Sequence, residues 1–133
     1  MLTLAVGIVA GGASFLVVHF WMNPLLRYLN SKHEVTSDLV FYANVINADG
    51  LNDRMQELHR ERKESNRRHA ADIRASYYRL PWWYRWYLGS VEERPVEASK
   101  ALVGLSNTKE YELANKYVGR LEKCLRIPDS IEE

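Results

Sequence analysis

The hydrophobic pattern begins with one long apolar stretch. Residues 2–22, LTLAVGIVAGGASFLVVHFWM, contain no Lys, Arg, Asp or Glu. A helix of this length rises about 31 Å, enough to cross the hydrocarbon layer of a bilayer, and we predict a transmembrane helix. A signal peptide would need a basic start, which is missing, and a cut near Ala13 would leave FLVVHFWM on the mature chain. A buried core helix of a soluble protein is the remaining alternative.

After this stretch, apolar residues recur at helical spacing. Asn23-Pro24 is expected to end or kink the first helix. The SKHE sequence at Ser31 then resembles a capping box, which predicts a new helix start. That helix carries apolar positions three and four residues apart at Val35, Leu39, Tyr42 and Ile46. The pair Asp49-Gly50 predicts a turn, followed by a helix over 51–80.

The same reasoning predicts two more helices. Pro95 suits a first helical turn, and Ala98, Leu102 and Leu105 share one face. Asn107 and Glu110 resemble a second capping box before a last helix, whose inward positions are Tyr111, Ala114, Tyr117 or Val118, Leu121 and Leu125. No stretch alternates with the period of a strand. The predicted fold is therefore all-α, with a transmembrane helix over 1–26, a bundle of about four helices with an antiparallel hairpin over 27–129, and an acidic tail over 130–133.

An aromatic segment, LPWWYRWYLG at residues 80–89, follows the predicted hairpin. The chain would rise about 39 Å from residue 23 to 48 and return about 45 Å over 51–80, which brings this segment back to the end of the span. Rings with polar edges suit the bilayer surface, although an aromatic bundle core is the alternative. The predicted membrane-interface residues are Trp21, Trp82, Trp83, Tyr84, Arg85, Trp86 and Tyr87.

Small residues form a stripe about 100° wide along the predicted span. Such residues let two helices approach closely in lipid, and GIVAG is a motif of this kind. We therefore predict helix association, either between copies of the chain or with a partner protein. The stripe comprises Thr3, Gly7, Ala10, Gly11 and Ser14, whereas Gly12 lies off it.

Composition and charge bear on the location of the protein but indicate little about its chemistry. Among 133 residues, 18 Lys and Arg nearly balance 17 Asp and Glu, so no overall charge favours nucleic acid as a partner. The single cysteine, Cys124, excludes an internal disulfide and fits a reducing compartment. Arg27 and Lys32 follow the span, and the positive-inside tendency then favours a membrane protein with its bundle in the cytoplasm.

The chain has no P-loop, no GxSxG elbow and no HExxH pair, and we predict no catalytic residues, metal or cofactor. Two Arg-to-His spacings, Arg54 to His59 and Arg62 to His69, resemble the motif of HEPN-type helical ribonucleases. The overall layout is similar to membrane-anchored CRISPR accessory proteins with a HEPN-like bundle. The alternative RNA- or lipid-binding residues are Arg54, His59, Arg60, Arg62, Lys63, Arg67, Arg68 and His69. A solvated helix face with local ion pairs explains the same charges.

The stretches ALVGLSN and SDLVFYANV resemble small single-pass bacterial membrane proteins, a resemblance that implies no activity. We therefore expect a self-associating membrane component, either a scaffold or a membrane-perturbing, pore-forming effector, with lipids and its own copies as partners. A HEPN-like RNA-binding or ribonuclease accessory protein is one alternative. An adaptor that binds another membrane or cytoplasmic subunit is the other.

Overall fold

Helices make up every regular element in the computed structural model, which describes residues 2–42 and 53–127. They are α1 (Leu2–Phe41), α2 (Asp53–Arg79), α3 (Trp82–Ser90), α4 (Pro95–Asn107) and α5 (Tyr111–Leu125). No strand occurs in these two ranges, so the all-α prediction is confirmed. Ile46, the turn at Asp49-Gly50, Leu51 and the tail over 130–133 lie outside the described residues.

The first helix does not end at proline. Pro24 lacks an amide hydrogen and would crowd the carbonyl four residues back. A π-helical turn over Val18–Met22 precedes it, in which the amide of Asn23 donates to the carbonyl of Val18. This wider turn accommodates Pro24, and α1 continues to Phe41. The prediction that the helix ends at Asn23-Pro24 is therefore wrong.

The predicted helix start at Ser31 is also wrong, because α1 continues through this position. Ser31 lies inside α1, and its hydroxyl donates to the carbonyl of Arg27 at 3.0 Å instead of capping a helix. The second capping box is also absent. Asn107 ends α4, and α5 begins at Tyr111, with Glu110 as its N-cap and no side-chain cap bond.

The core forms where α2 packs against α4 and against the part of α1 that follows the π-helical turn, Asn23–Phe41. Helix α4 also packs against α5. Ile73, Leu102 and Leu121 lie at its centre. The predicted inward faces of α4 and α5 are confirmed at Ala98, Leu102, Leu105, Ala114, Val118, Leu121 and Leu125, all of which are buried. Tyr111 was predicted to point inward but is exposed.

The close approach of α4 to α5 requires glycine at one position. A β-carbon on Gly104 would lie 2.5 Å from Cε1 of Tyr117. No substituted residue fits there unless the Tyr117 ring moves.

The polar middle of α2 is not uniformly solvated. Arg62, Asn66 and His69 lie four and three residues apart, and all three are buried, with Arg62 only 3% exposed. Burial lowers the pKa of the Arg62 guanidinium from its ordinary value. A sequence without apolar residues here gives no sign that this face of α2 turns inward.

Candidate functional site: an apolar helix and its aromatic collar

The apolar segment over 2–22 is exposed along its whole length in the described structure. None of its residues is buried. Of the helices in residues 2–42 and 53–127, α1 is the one long and apolar enough to cross a membrane. The segment is therefore not a core helix of this chain. An uncovered apolar surface of this size is typical of contact with lipid or with another protein.

Helix α3 carries the aromatic segment beside this helix. Pro81 precedes its first turn in an extended conformation and needs no hydrogen-bond acceptor there. Trp82 and Trp86, four residues apart, are 76% and 74% exposed on one face. Leu88 lies on the opposite side and is buried.

Tyr84 belongs to the inner side of α3, unlike its predicted interface neighbours. Its ring packs edge-on against Tyr28, with ring centroids 6.4 Å apart. It also packs against the small core of Tyr28, Leu80 and Leu88. The other predicted interface residues are all exposed: Trp21, Trp82, Trp83, Arg85, Trp86 and Tyr87.

Helix α3 lies at the carboxyl end of the apolar segment. The rings of Trp21 on α1 and Trp83 on α3 meet edge to face, with centroids 6.5 Å apart. The chain therefore returns to the end of the apolar segment, as the lengths of the two predicted hairpin helices indicate. We call the exposed rings of Trp21, Trp82, Trp83, Trp86 and Tyr87 the aromatic collar.

A polar clamp joins α1 to the loop that follows α3. The Tyr28 hydroxyl donates to Oε1 of Glu93 at 2.5 Å, and Lys32 Nζ lies 3.0 Å from Oε2 of the same carboxylate. Burial, and then the bond to Glu93, raise the pKa of the Tyr28 hydroxyl above its ordinary value. The clamp joins residues 65 positions apart, and no local motif in the sequence indicates it.

The predicted association stripe is open along its whole length. Thr3, Gly7, Ala10, Gly11 and Ser14 are all exposed. A β-carbon built on Gly7 or Gly11 meets nothing within 4 Å. Helix α1 alone therefore places no packing demand on these small residues.

The basic segment of α2 does not form one surface. Arg54, Arg60, Arg67 and Arg68 are exposed, and His59 and Lys63 are half-buried. Arg60 pairs with Glu57 at 2.5 Å and Arg68 with Glu64 at 3.8 Å, as expected for a solvated helix face. Arg62 and His69 are interior, so this Arg-to-His pair of the HEPN comparison does not face solvent where RNA would bind.

His69 belongs to a three-residue polar cluster. Its Nε2 lies 2.7 Å from Oδ2 of Asp38, which also accepts the Ser65 hydroxyl hydrogen. A carboxylate only accepts, so Nε2 carries the hydrogen in this bond. In a nucleophilic triad the serine would donate to the imidazole. Here Asp38 takes both hydrogens, and the cluster ties α1 to α2 without activating Ser65.

Within residues 2–42 and 53–127, no group of three His, Cys, Asp or Glu side chains is arranged to hold a metal ion. No protein-family model, curated protein or solved structure matches the chain.

Proposed function

We propose that this chain is a single-pass membrane protein of a bacterial inner membrane. Its apolar segment spans the bilayer, its bundle lies in the cytoplasm, and it acts as an oligomeric membrane component. The observation that carries the proposal is the pairing of a fully exposed apolar helix with an aromatic collar at one end of it.

The dimensions of the chain support membrane insertion. The segment over 2–22 is about 31 Å long, close to the thickness of a hydrocarbon layer. Trp21 and Trp83 meet at its end, where aromatic rings with polar edges favour the wet boundary of a bilayer. Because Leu88 of α3 packs against Tyr28 of α1, and the Tyr28–Glu93–Lys32 clamp ties the following loop to α1, the collar keeps one height relative to the segment.

The glycine pattern supports self-association. In lipid, helices associate through close backbone contact, which small residues permit. Gly7 and Gly11 lie on one stripe, and α1 itself gives no reason for their size. A second copy of the helix would supply that reason.

The mass of the full-length chain in detergent tests self-association. We expect a discrete oligomer for the native chain, and a smaller species for Gly7→Leu and Gly11→Leu, because leucine separates the two backbones. Gly12→Leu is the matched control, since Gly12 is equally open in the single chain but lies off the stripe. A monomeric native chain, or equal effects at all three glycines, would refute self-association through the stripe.

Insertion of the collar is tested separately with the protein reconstituted in vesicles. Lipids brominated near the headgroup should quench tryptophan fluorescence, and this quenching should fall in a Trp82→Phe/Trp86→Phe variant. Quenching that is unchanged by the double substitution would place these two rings away from lipid.

The choice between scaffold and membrane-perturbing effector needs a functional readout. Vesicles loaded with a self-quenching dye should leak when an effector assembles in them, and Gly11→Leu should reduce the leak while Gly12→Leu does not. Intact vesicles with an assembled oligomer would favour the scaffold.

A further inference from the structure

A basic groove of about 840 Å³ lies between the end of α3 and the end of α5. Its charged lining consists of Arg94, Arg120, Lys123 and Arg126, opposed by Glu92 and Glu97. It lies outside the α2 segment that the sequence singled out for anion binding. The lining carries four positive and two negative charges, a net excess of two positive charges.

Two of the three arginines, Arg120 and Arg126, are held in place while keeping hydrogen-bond donors available. Arg120 lies 3.5 Å from Glu97, and Arg126 donates through one terminal nitrogen to the carbonyl of Val91 at 2.8 Å. A guanidinium has five N–H donors, so each bond fixes the group without using all of them. Glu97 is also held by Lys100 at 2.8 Å, and Lys100 thereby offsets one of the groove's negative charges.

The helix ends at the groove repel an anion less than uncapped ends would. The carboxyl ends of α3 and α5 both point toward it, and free carbonyls there would repel negative charge. Both helices end in a left-handed residue, Glu92 with φ of 58° and Arg126 with φ of 51°. In each turn the next amide bonds back, from Glu93 to Leu88 and from Ile127 to Glu122, which satisfies a terminal carbonyl.

One end of the groove adjoins a second hollow. This hollow, of about 360 Å³, shares Val91 and Arg126 with the basic groove. Its other walls combine apolar and aromatic side chains with the two charged clamp residues: Leu29, Tyr84, Tyr87, Leu88, Lys32 and Glu93. The combined trough is therefore of mixed polarity beside α3 and basic at its far end.

We infer that this trough binds a phosphate-bearing anionic ligand. Arg94, Arg120, Lys123 and Arg126 receive the phosphate, since guanidinium and ammonium groups are the donors that bind it most strongly. Where the ligand has a hydrocarbon portion, the side chains of Leu29, Tyr87 and Leu88 in the neighbouring hollow contact it. The phosphate belongs either to a soluble compound or to an acidic lipid headgroup, and the experiment separates these two sources.

Calorimetric titration of the full-length chain in neutral maltoside micelles tests the inference. The probes are pyrophosphate, dihexanoyl phosphatidic acid and zwitterionic dihexanoyl phosphatidylcholine. We expect saturable binding of an anionic probe, at least about tenfold tighter than phosphatidylcholine, from the strength of charge-assisted hydrogen bonds. Equal affinity for both anionic probes indicates a soluble phosphate ligand, and tighter binding of phosphatidic acid indicates a lipid.

The test variant is Arg94→Gln/Lys123→Gln, because both side chains are exposed and neither makes a bond that holds the fold in the described residues. It should weaken binding of the anionic probe about tenfold. The control is Arg74→Gln/Lys109→Gln, which removes the same charge from exposed positions outside the groove and should change the affinity less than about twofold. Matching circular dichroism melts show that both variants fold. Absence of saturable binding, or equal weakening by both pairs, overturns the inference.

Discussion

Removal of one hydroxyl from the polar clamp provides the sharpest test of how the collar is held. Tyr28 is fully buried, and Glu93 is only 9% exposed. In Tyr28→Phe the ring and its packing remain, but Oε1 of Glu93 loses its 2.5 Å donor. A hydrogen bond to a buried charged group contributes about 2 kcal/mol, and no solvent is at hand to replace it.

That loss should lower the melting temperature by roughly 10 °C for a bundle of about a hundred residues. The assay is near-ultraviolet circular dichroism of the full-length chain in detergent, which reports loss of aromatic packing while the span stays helical. Tyr78→Phe is the control, because Tyr78 is exposed and its hydroxyl lies outside the clamp. Its melting temperature should change little. Equal melting of the two variants would refute the reasoning that the clamp stabilises the position of α3.

Three further predictions concern packing, polar contacts and pH. Gly104→Ala should destabilise the bundle by about 1 kcal/mol in denaturant unfolding, because the new β-carbon meets the Tyr117 ring, and by less in a Tyr117→Ala background. Asp38→Ala should lower the unfolding free energy by about 1–2 kcal/mol, since His69 loses its acceptor; an unchanged value would show that this contact contributes nothing. Since the folded-state pKa of Tyr28 is raised, its contribution is complete below about pH 10 and is lost as the pH rises further. The free energy of unfolding, measured between pH 9 and 11, should therefore fall with rising pH by up to about 1.4 kcal/mol per pH unit. This fall should be absent in Tyr28→Phe.

The sequence predicted those parts of the fold that depend on local periodicity. In α4, Ala98, Leu102 and Leu105 repeat at helical spacing, and all three are buried. The long apolar helix is recognisable because a stretch as long as a bilayer's hydrocarbon layer passes without a charge. Both signals arise from neighbouring residues on one helix, so no knowledge of the partners is required.

Features that depend on distant residues were not predictable. Arg62 and His69 carry polar side chains and were expected in solvent, but His69 finds its acceptor on α1, at Asp38. Glu93 is one acidic residue in a loop until Tyr28 is placed beside it. Proline was expected to end α1, and the π-helical turn that accommodates it has no established sequence signal.

The continuity of α1 has a mechanical consequence. The 19 residues from Asn23 to Phe41 continue the same helix for about 28 Å past the π-helical turn. In the proposed membrane arrangement, a tilt of about 20°, ordinary for a helix in lipid, would move the far end of this extension sideways by about 10 Å if the helix tilts as a unit. The extension would thus act as a lever, so that a change in bilayer thickness or in the angle between neighbouring spans reaches the cytoplasmic bundle as a displacement.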